Sequence, residues 1–170
     1  MFEAILLLAA AATGPGPDPL AEAKAGKVQC ITPNRETKTC AGIVSYTVRA
    51  DGSYDSIGTM MVVPAPLILV EVRSSGKVEG DAVCSVLDKA DFAGAKITMA
   101  GAPVNDTMDQ AIKSQLVGSV EALNGKKGCG RDRADGDIMV AEMTVDGTAR
   151  PELTQRFIWV NPEEGYKIGQ

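Results

Sequence analysis

Ser74 and Lys77 have the spacing of the Ser-x-x-Lys motif, in which a lysine lies one helical turn from a nucleophilic serine. The motif works at the start of a helix, whereas this copy lies in a Ser-Ser-Gly-Lys stretch that is typical of a turn. The Ser-Asp-Asn and Lys-Thr-Gly elements that accompany the motif in such hydrolases do not occur in the chain. We therefore expect an exposed turn here and keep a serine–lysine hydrolase as an alternative.

Oxygen ligands for a cation are concentrated in residues 131–137. This segment carries three carboxylates, Asp132, Asp135 and Asp137. A calcium-binding EF-hand loop has an invariant glycine at its sixth position, but aligning Gly136 there puts Arg131 and Arg133 at two ligand positions. The sequence favours a solvated turn, with an irregular cation site as the alternative.

Acid–base chemistry could come from neighbouring carboxylates, as in glycosidases. The candidate pairs are Asp88 with Asp91 and Glu163 with Glu164. Nothing in the sequence places either pair across a cleft. The chain has no histidine, which excludes Ser-His and Cys-His nucleophiles, His-Glu-x-x-His metalloproteases and imidazole metal sites. We assign no catalytic, cofactor-binding or metal-binding residue and expect no cofactor.

The four cysteines are an even number, which predicts two disulfides in an oxidising compartment. Three pairings are possible. We favour Cys30 with Cys40, closing a short loop, and Cys84 with Cys129, closing a long one. The spacings lack the close pairs of a structural zinc site.

An apolar run over residues 5–12, ending in three alanines, is typical of a secretory signal peptide. We predict a signal peptide over residues 1–12, although Glu3 is unusual where a positive charge is the rule. Residues 13–29 are rich in Pro, Gly and Ala and predict a flexible segment, and residues 30–170 predict one globular domain. Export to the periplasm or the extracellular space follows, with no membrane span in the mature chain.

The net charge of −5 and the scattered basic residues disfavour a nucleic-acid partner. Alternating apolar residues predict a strand over residues 41–50, with Val44, Tyr46 and Val48 on one face, and a second strand over residues 57–63, joined to the first as a hairpin. Further strands are expected at 67–73, 82–87, 96–100, 138–145 and 156–160, with a turn at 74–77 and a protruding loop at 126–137.

The clearest single element is a helix over residues 107–124. Apolar residues recur there at spacings of three and four, at Met108, Ile112, Leu116, Val120 and Leu123. Asn105, Asp106 and Thr107 are all candidate N-caps, and Thr107 with Gln110 has capping-box spacing. We expect this apolar stripe to face the sheet.

These elements predict an α+β domain, with an antiparallel sheet of five to seven strands and the helix across one face. The expected function is that of an exported binding or structural module of the cell envelope rather than an enzyme. Its partner is unidentified and could be another envelope or secreted protein. The alternatives are an inhibitor of a secreted hydrolase, contacting its target through residues 126–137, and a histidine-free hydrolase using serine and lysine or paired carboxylates. Trp159 beside Tyr166 is a further candidate binding surface.

Overall fold

The computed structural model describes residues 17–170. In chain order its elements are helix α1 (Ala21–Lys24), strands β1 (Val28–Asn34), β2 (Thr39–Val48), β3 (Ser53–Pro64), β4 (Leu67–Glu79) and β5 (Ala82–Val86), helix α2 (Lys89–Ala93), strands β6 (Lys96–Met99) and β7 (Ala102–Pro103), helix α3 (Asp106–Val120), and strands β8 (Lys127–Asp135), β9 (Ile138–Val145), β10 (Thr148–Ala149), β11 (Gln155–Val160) and β12 (Lys167–Ile168). Short 3-10 helices lie at Glu121–Leu123, Pro151–Leu153 and Pro162–Glu164. The predicted signal peptide lies outside the described residues.

Eight strands pair in a cycle and form a closed sheet, which we call the ring. Following the pairings, its order is β1, β2, β3, β4, β5, β8, β9 and β11, and β11 pairs with β1 again. Every pairing in the ring is antiparallel. The closing pair places Val28 opposite Val160 and Ile31 opposite Phe157, so the first and last long strands meet.

The fold-class prediction of five to seven strands with a helix across one face is wrong, since residues 17–170 form a twelve-stranded, mostly antiparallel sheet. All seven predicted strands are present, but β1, β8 and the two-residue strands β7, β10 and β12 were not predicted. Strand β8 has the sequence Lys-Gly-Cys-Gly-Arg-Asp-Arg-Ala-Asp, which has low strand propensity. It is nevertheless a strand because it pairs along its length with β9 and, in its first half, with β5.

The predicted turn at residues 74–77 is also wrong, because β4 continues through it. Ser74 pairs with Ser56, and Lys77 pairs with Ser53. The hairpin of β3 and β4 therefore extends well beyond the apolar residues that predict its strands. The backbone N–H and C=O groups of residues 74–77 bond to β3, so they do not need the local hydrogen bonds of a turn.

Helix α3 is found where its periodicity predicted it. Asn105 caps it by accepting a hydrogen bond from the Met108 backbone nitrogen at 2.9 Å, so Thr107 is not the cap. Met108, Ile112 and Leu116 pack against a buried cluster on β4, β6 and the segment before β6. The helix therefore covers the part of the long hairpin where β6 replaces β5 as the neighbour of β4.

Both disulfides have the pairing favoured from the sequence. Cys30 and Cys40 join β1 to β2 with their Cα atoms 5.3 Å apart. Cys84 and Cys129 lie directly opposite each other on β5 and β8, with their Cα atoms 4.1 Å apart. The second bond was expected to join the sheet to a loop. Instead it joins two neighbouring strands, β5 and β8, which are separated in the chain by the segment that contains α2 and α3.

Residues 17–29, part of the segment expected to be flexible, close one end of the ring. Leu20 is fully buried, and Ala23 of α1 is buried beside it. Both pack with Tyr54 and with inward-facing side chains of four further strands. Burial of a leucine at this position contributes about 2 kcal/mol, which holds the segment in place.

The tight packing of β4 against β5 predicts that Gly76→Ala destabilises the protein strongly. An added Cβ would overlap the Cys84 carbonyl oxygen and the Tyr54 hydroxyl, which donates a hydrogen bond to that same oxygen at 2.9 Å. We expect the free energy of unfolding to fall by about 3 kcal/mol, measured by urea denaturation.

Gly58→Ala is the matched control, because Gly58 lies on the same face of the ring and a Cβ there would meet Val44 at an ordinary 3.7 Å. Its effect should stay within about 1 kcal/mol. Equal effects of the two substitutions would contradict the packing derived for Gly76.

Candidate functional site

The serine and lysine of the Ser-x-x-Lys spacing point to opposite faces of the ring. Side chains alternate along a strand, and cross-strand partners share a face. Ser74 therefore faces the interior with Ser56, whose hydroxyl lies 2.9 Å from its own. Lys77 faces outward. The two residues do not form a dyad, so the serine–lysine alternative has no geometric basis in the structure.

The three aspartates of residues 131–137 do not form a cation site. Asp135 pairs with Arg156 at 3.1 Å and Asp137 with Arg35 at 2.7 Å, both on the outside. Asp132 faces the interior of the ring. The segment expected to protrude is mostly strand β8, so the inhibitor alternative loses the contact loop on which it was based.

The paired carboxylates serve local structure. Asp88 caps α2 by accepting a hydrogen bond from the Ala90 backbone nitrogen, and Glu164 forms a capping box with Asn161. Burial, and then the nearby charge of Asp88, raise the pKa of Asp91. Residues 17–170 contain no group of three or more metal-ligating acidic or cysteine side chains.

Trp159 and Tyr166 lie on opposite sides of the sheet and do not form one surface. Trp159 faces inward, where its ring centroid lies 6.2 Å from that of Tyr46 and 5.7 Å from that of Phe157. Tyr166 packs outside, against the cluster that contains Cys30 and Cys40.

The interior of the ring contains a cavity of about 570 Å³ to which all eight ring strands contribute. The residues that line it from the strands are Gln29, Tyr46, Tyr54, Ser56, Ser74, Val83, Ser85, Gly128, Gly130, Asp132, Ala141, Met143, Val145, Gln155 and Phe157. Its volume falls within the roughly 300 to 1,000 Å³ of typical small-molecule sites. We call it the ring cavity and treat it as the candidate functional site.

Different elements border the two ends of the ring cavity. Leu20 packs among its aromatic side chains at the end where β5 begins. Leu87, which follows β5, lines the cavity together with Phe92 of α2 and Leu123 of the 3-10 helix after α3. The segment between β5 and β8, residues 87–126, therefore contributes an apolar border to the cavity. Leu123, the last residue of the apolar stripe predicted for the helix, is part of this border.

Aromatic side chains are concentrated inside the ring. The chain has only seven Phe, Tyr and Trp residues. Four of them form a connected cluster on the inner face, comprising Tyr46, Tyr54, Phe157 and Trp159, with neighbouring centroids 5.5 to 6.2 Å apart. Three of the four, Tyr46, Tyr54 and Phe157, line the ring cavity.

Polar groups of the cavity wall are mostly bonded to one another. Tyr46 donates to the buried Gln29 side-chain oxygen at 3.0 Å, and the Tyr54 hydroxyl donates to the Cys84 carbonyl. Burial, followed by the charges of Tyr54 and Asp132, raises the pKa of Tyr46 above its usual range. Tyr46 therefore stays a neutral hydroxyl at physiological pH.

Asp132 differs from the other cavity residues because it is a carboxylate without a protein partner. No residue in 17–170 gives its side chain a hydrogen bond or an ion pair, and burial alone raises its pKa to about 6. On the inner face of β8 it follows Gly128 and Gly130, and Ala141 lies opposite it. Asp132, Gly130 and Ala141 all line the ring cavity.

Sequence reasoning missed the ring cavity, although part of its wall was visible. The alternation predicted for residues 41–50 put Tyr46 on the same face as Val44 and Val48, and the register confirms this. The Gly128, Gly130, Asp132 alternation was the available signal for β8. The sequence of this segment predicts a loop because small and charged residues dominate it.

No family model, curated protein or solved structure that was compared matches this chain. Among residues 17–170, none of the helices has both the length and the apolar character needed to span a bilayer.

Asp132→Asn should stabilise the protein at neutral pH. The pKa of Asp132 is raised from 3.8 to about 6 by folding, so between these values the folded state keeps a proton that the unfolded chain loses. Stability is then lost as the pH rises from about 4 to 6, and the loss persists above 6. The amide avoids this cost. We expect the free energy of unfolding to rise by about 1 to 2 kcal/mol near pH 8, after allowance for partial exposure, and to change much less near pH 4.

Asp135→Asn is the control for urea denaturation at both pH values. It lies on the same strand but is exposed and paired with Arg156, so we expect a change within about 0.5 kcal/mol. A loss of stability in Asp132→Asn near pH 8 would contradict the assigned environment of Asp132.

Proposed function

We infer that the protein is an exported binding protein that holds one small, largely apolar molecule inside the ring. The observation that carries this proposal is the cavity of about 570 Å³ lined from all eight ring strands. Closed eight-stranded antiparallel sheets have an interior wide enough either to be filled by side chains or to hold one small ligand. Here Gly128, Gly130 and Ala141 are among the residues that line the cavity, and they contribute little side-chain volume of their own.

The composition of the wall supports a ligand with an apolar body. Val83, Met143, Val145 and Phe157 supply apolar surface, and a few polar groups interrupt it. Small-molecule sites combine predominantly apolar walls with a small number of placed polar groups that orient the ligand. Binding is thus a function that these walls can perform without any reaction chemistry.

Export is the second part of the proposal. Two disulfides join strands of the ring, and such bonds form and persist in oxidising compartments. The signal-like apolar run of residues 5–12 supports the same destination. A periplasmic or extracellular protein with an internal cavity is suited to carrying or sequestering a sparingly soluble molecule.

Filling the cavity should abolish binding of a neutral apolar dye. We expect N-phenyl-1-naphthylamine to bind the wild-type protein with increased dye fluorescence and to quench Trp159, the only tryptophan. Ser85→Phe places a large side chain into the cavity and should weaken dye binding by at least about tenfold.

Ser75→Phe is the matched control, because Ser75 lies on β4 with its side chain exposed on the outer face. It should leave dye binding unchanged. Circular dichroism shows whether each variant folds. Wild-type protein that binds no dye, or a folded Ser85→Phe variant that binds it as wild type does, would refute binding in the ring cavity.

Thiol titration tests export. Protein taken from its native compartment, unfolded and alkylated without reductant, should keep its mass, whereas prior reduction should allow alkylation of all four cysteines. Four alkyl groups added without reductant would overturn the oxidising compartment.

A further inference from the structure

Asp132 lies where the ring cavity adjoins a groove beneath α1. The carboxylate lines the cavity, and it also lines the groove together with Lys27, Asp81 and Trp159. It is therefore reachable from the interior and close to the end of the ring that Leu20 closes.

The groove carries an uncompensated negative charge at Asp132. The other three carboxylates that line it each have a cationic partner, in the pairs Asp18 with Lys24 at 2.6 Å, Glu22 with Lys27 at 2.5 Å and Asp81 with Arg131 at 2.8 Å. Lys27, the only lysine or arginine among the groove-lining residues, is thus already paired. The charge of Asp132 therefore has no cationic partner among the residues that line the groove.

A metal ion fits this position poorly. Calcium takes six to eight oxygen ligands and usually several carboxylates, whereas no group of three metal-ligating side chains is present among residues 17–170. An organic cation needs a single counter-charge. It can also use the aromatic cluster, because ring faces attract cations.

The ring cavity brings both parts of such a site together, a counter-charge and aromatic side chains. Tyr46 and Asp132 line it together, and Phe157 lines it from β11. The apolar wall continues to Val145 on β9 and to Leu87 and Leu123 at the other end. A ligand charged at one end and apolar at the other would match this distribution.

We propose that the ring cavity binds an amphipathic amine, with its ammonium group paired to Asp132 and its apolar part among the aromatic and aliphatic side chains of the interior. This inference rests on the proposed binding function and adds the chemical class of the ligand. The ammonium donates charge-assisted hydrogen bonds to the carboxylate, and these are stronger than bonds between neutral groups. The apolar part is removed from water, which supplies most of the affinity.

The test compares three ligands of one chain length, octylamine, octanol and octanoate, by calorimetry at neutral pH, with Trp159 fluorescence as a second signal. For the wild-type protein we expect octylamine to bind about tenfold or more tighter than octanol, and octanoate to bind more weakly than octanol. In Asp132→Asn the preference for the amine over the alcohol should disappear, because the counter-charge for the ammonium group is gone.

Asp135→Asn is the matched control, since it removes a carboxylate of the same strand from the outer face, and it should keep the wild-type preference. Equal binding of all three ligands by the wild type would overturn the amine proposal and leave the binding function standing. A preference for the amine that survives Asp132→Asn would also overturn it. Failure of all three ligands and of the neutral dye to bind would refute both proposals.

Discussion

The pairing of β1 with β11 is the interaction on which the rest of the structure depends. It joins residues near the two ends of the described chain, with Val28 opposite Val160, and turns a meandering sheet into a ring. Without it, both strands would present unpaired backbone groups and the inner face would be open to water. With it, one continuous inner surface exists, and α1 can close one end by burying Leu20. The cavity is thus a consequence of closure rather than of any one strand.

Closure also separates two environments by the alternation of side chains. The inner face holds the aromatic cluster, the paired serines and Asp132. The outer face holds both disulfides, and Cys30 and Cys40 lie there in a second apolar cluster that Tyr166 helps to cover. Most ion pairs, such as Arg35 with Asp137, are exposed and contribute little to stability. The disulfides therefore strengthen the wall from outside and leave the interior free.

Asp132 is the residue that stability alone does not explain. A half-buried carboxylate that has no partner among residues 17–170 costs free energy, and Gln or Thr could occupy the same position at lower cost. Carboxylates with a raised pKa that line a cavity are candidates for functional sites, because such shifted groups are concentrated where proteins bind or react. Asp132 lines the ring cavity, so its carboxylate can be reached from the interior.

The sequence by itself determined the features that depend on residues close together in the chain. Periodicity located α3, alternation located β2 and placed Tyr46 on its apolar face, and cysteine number and spacing favoured the observed disulfides. The missed features depend on distant partners. Strand β8 is extended because β5 and β9 pair with it, and residues 74–77 are extended because β3 continues beside them. Only the tertiary structure decided that the sheet closes and that Asp132 faces inward, because register and ring closure are set by pairings between residues far apart in the chain.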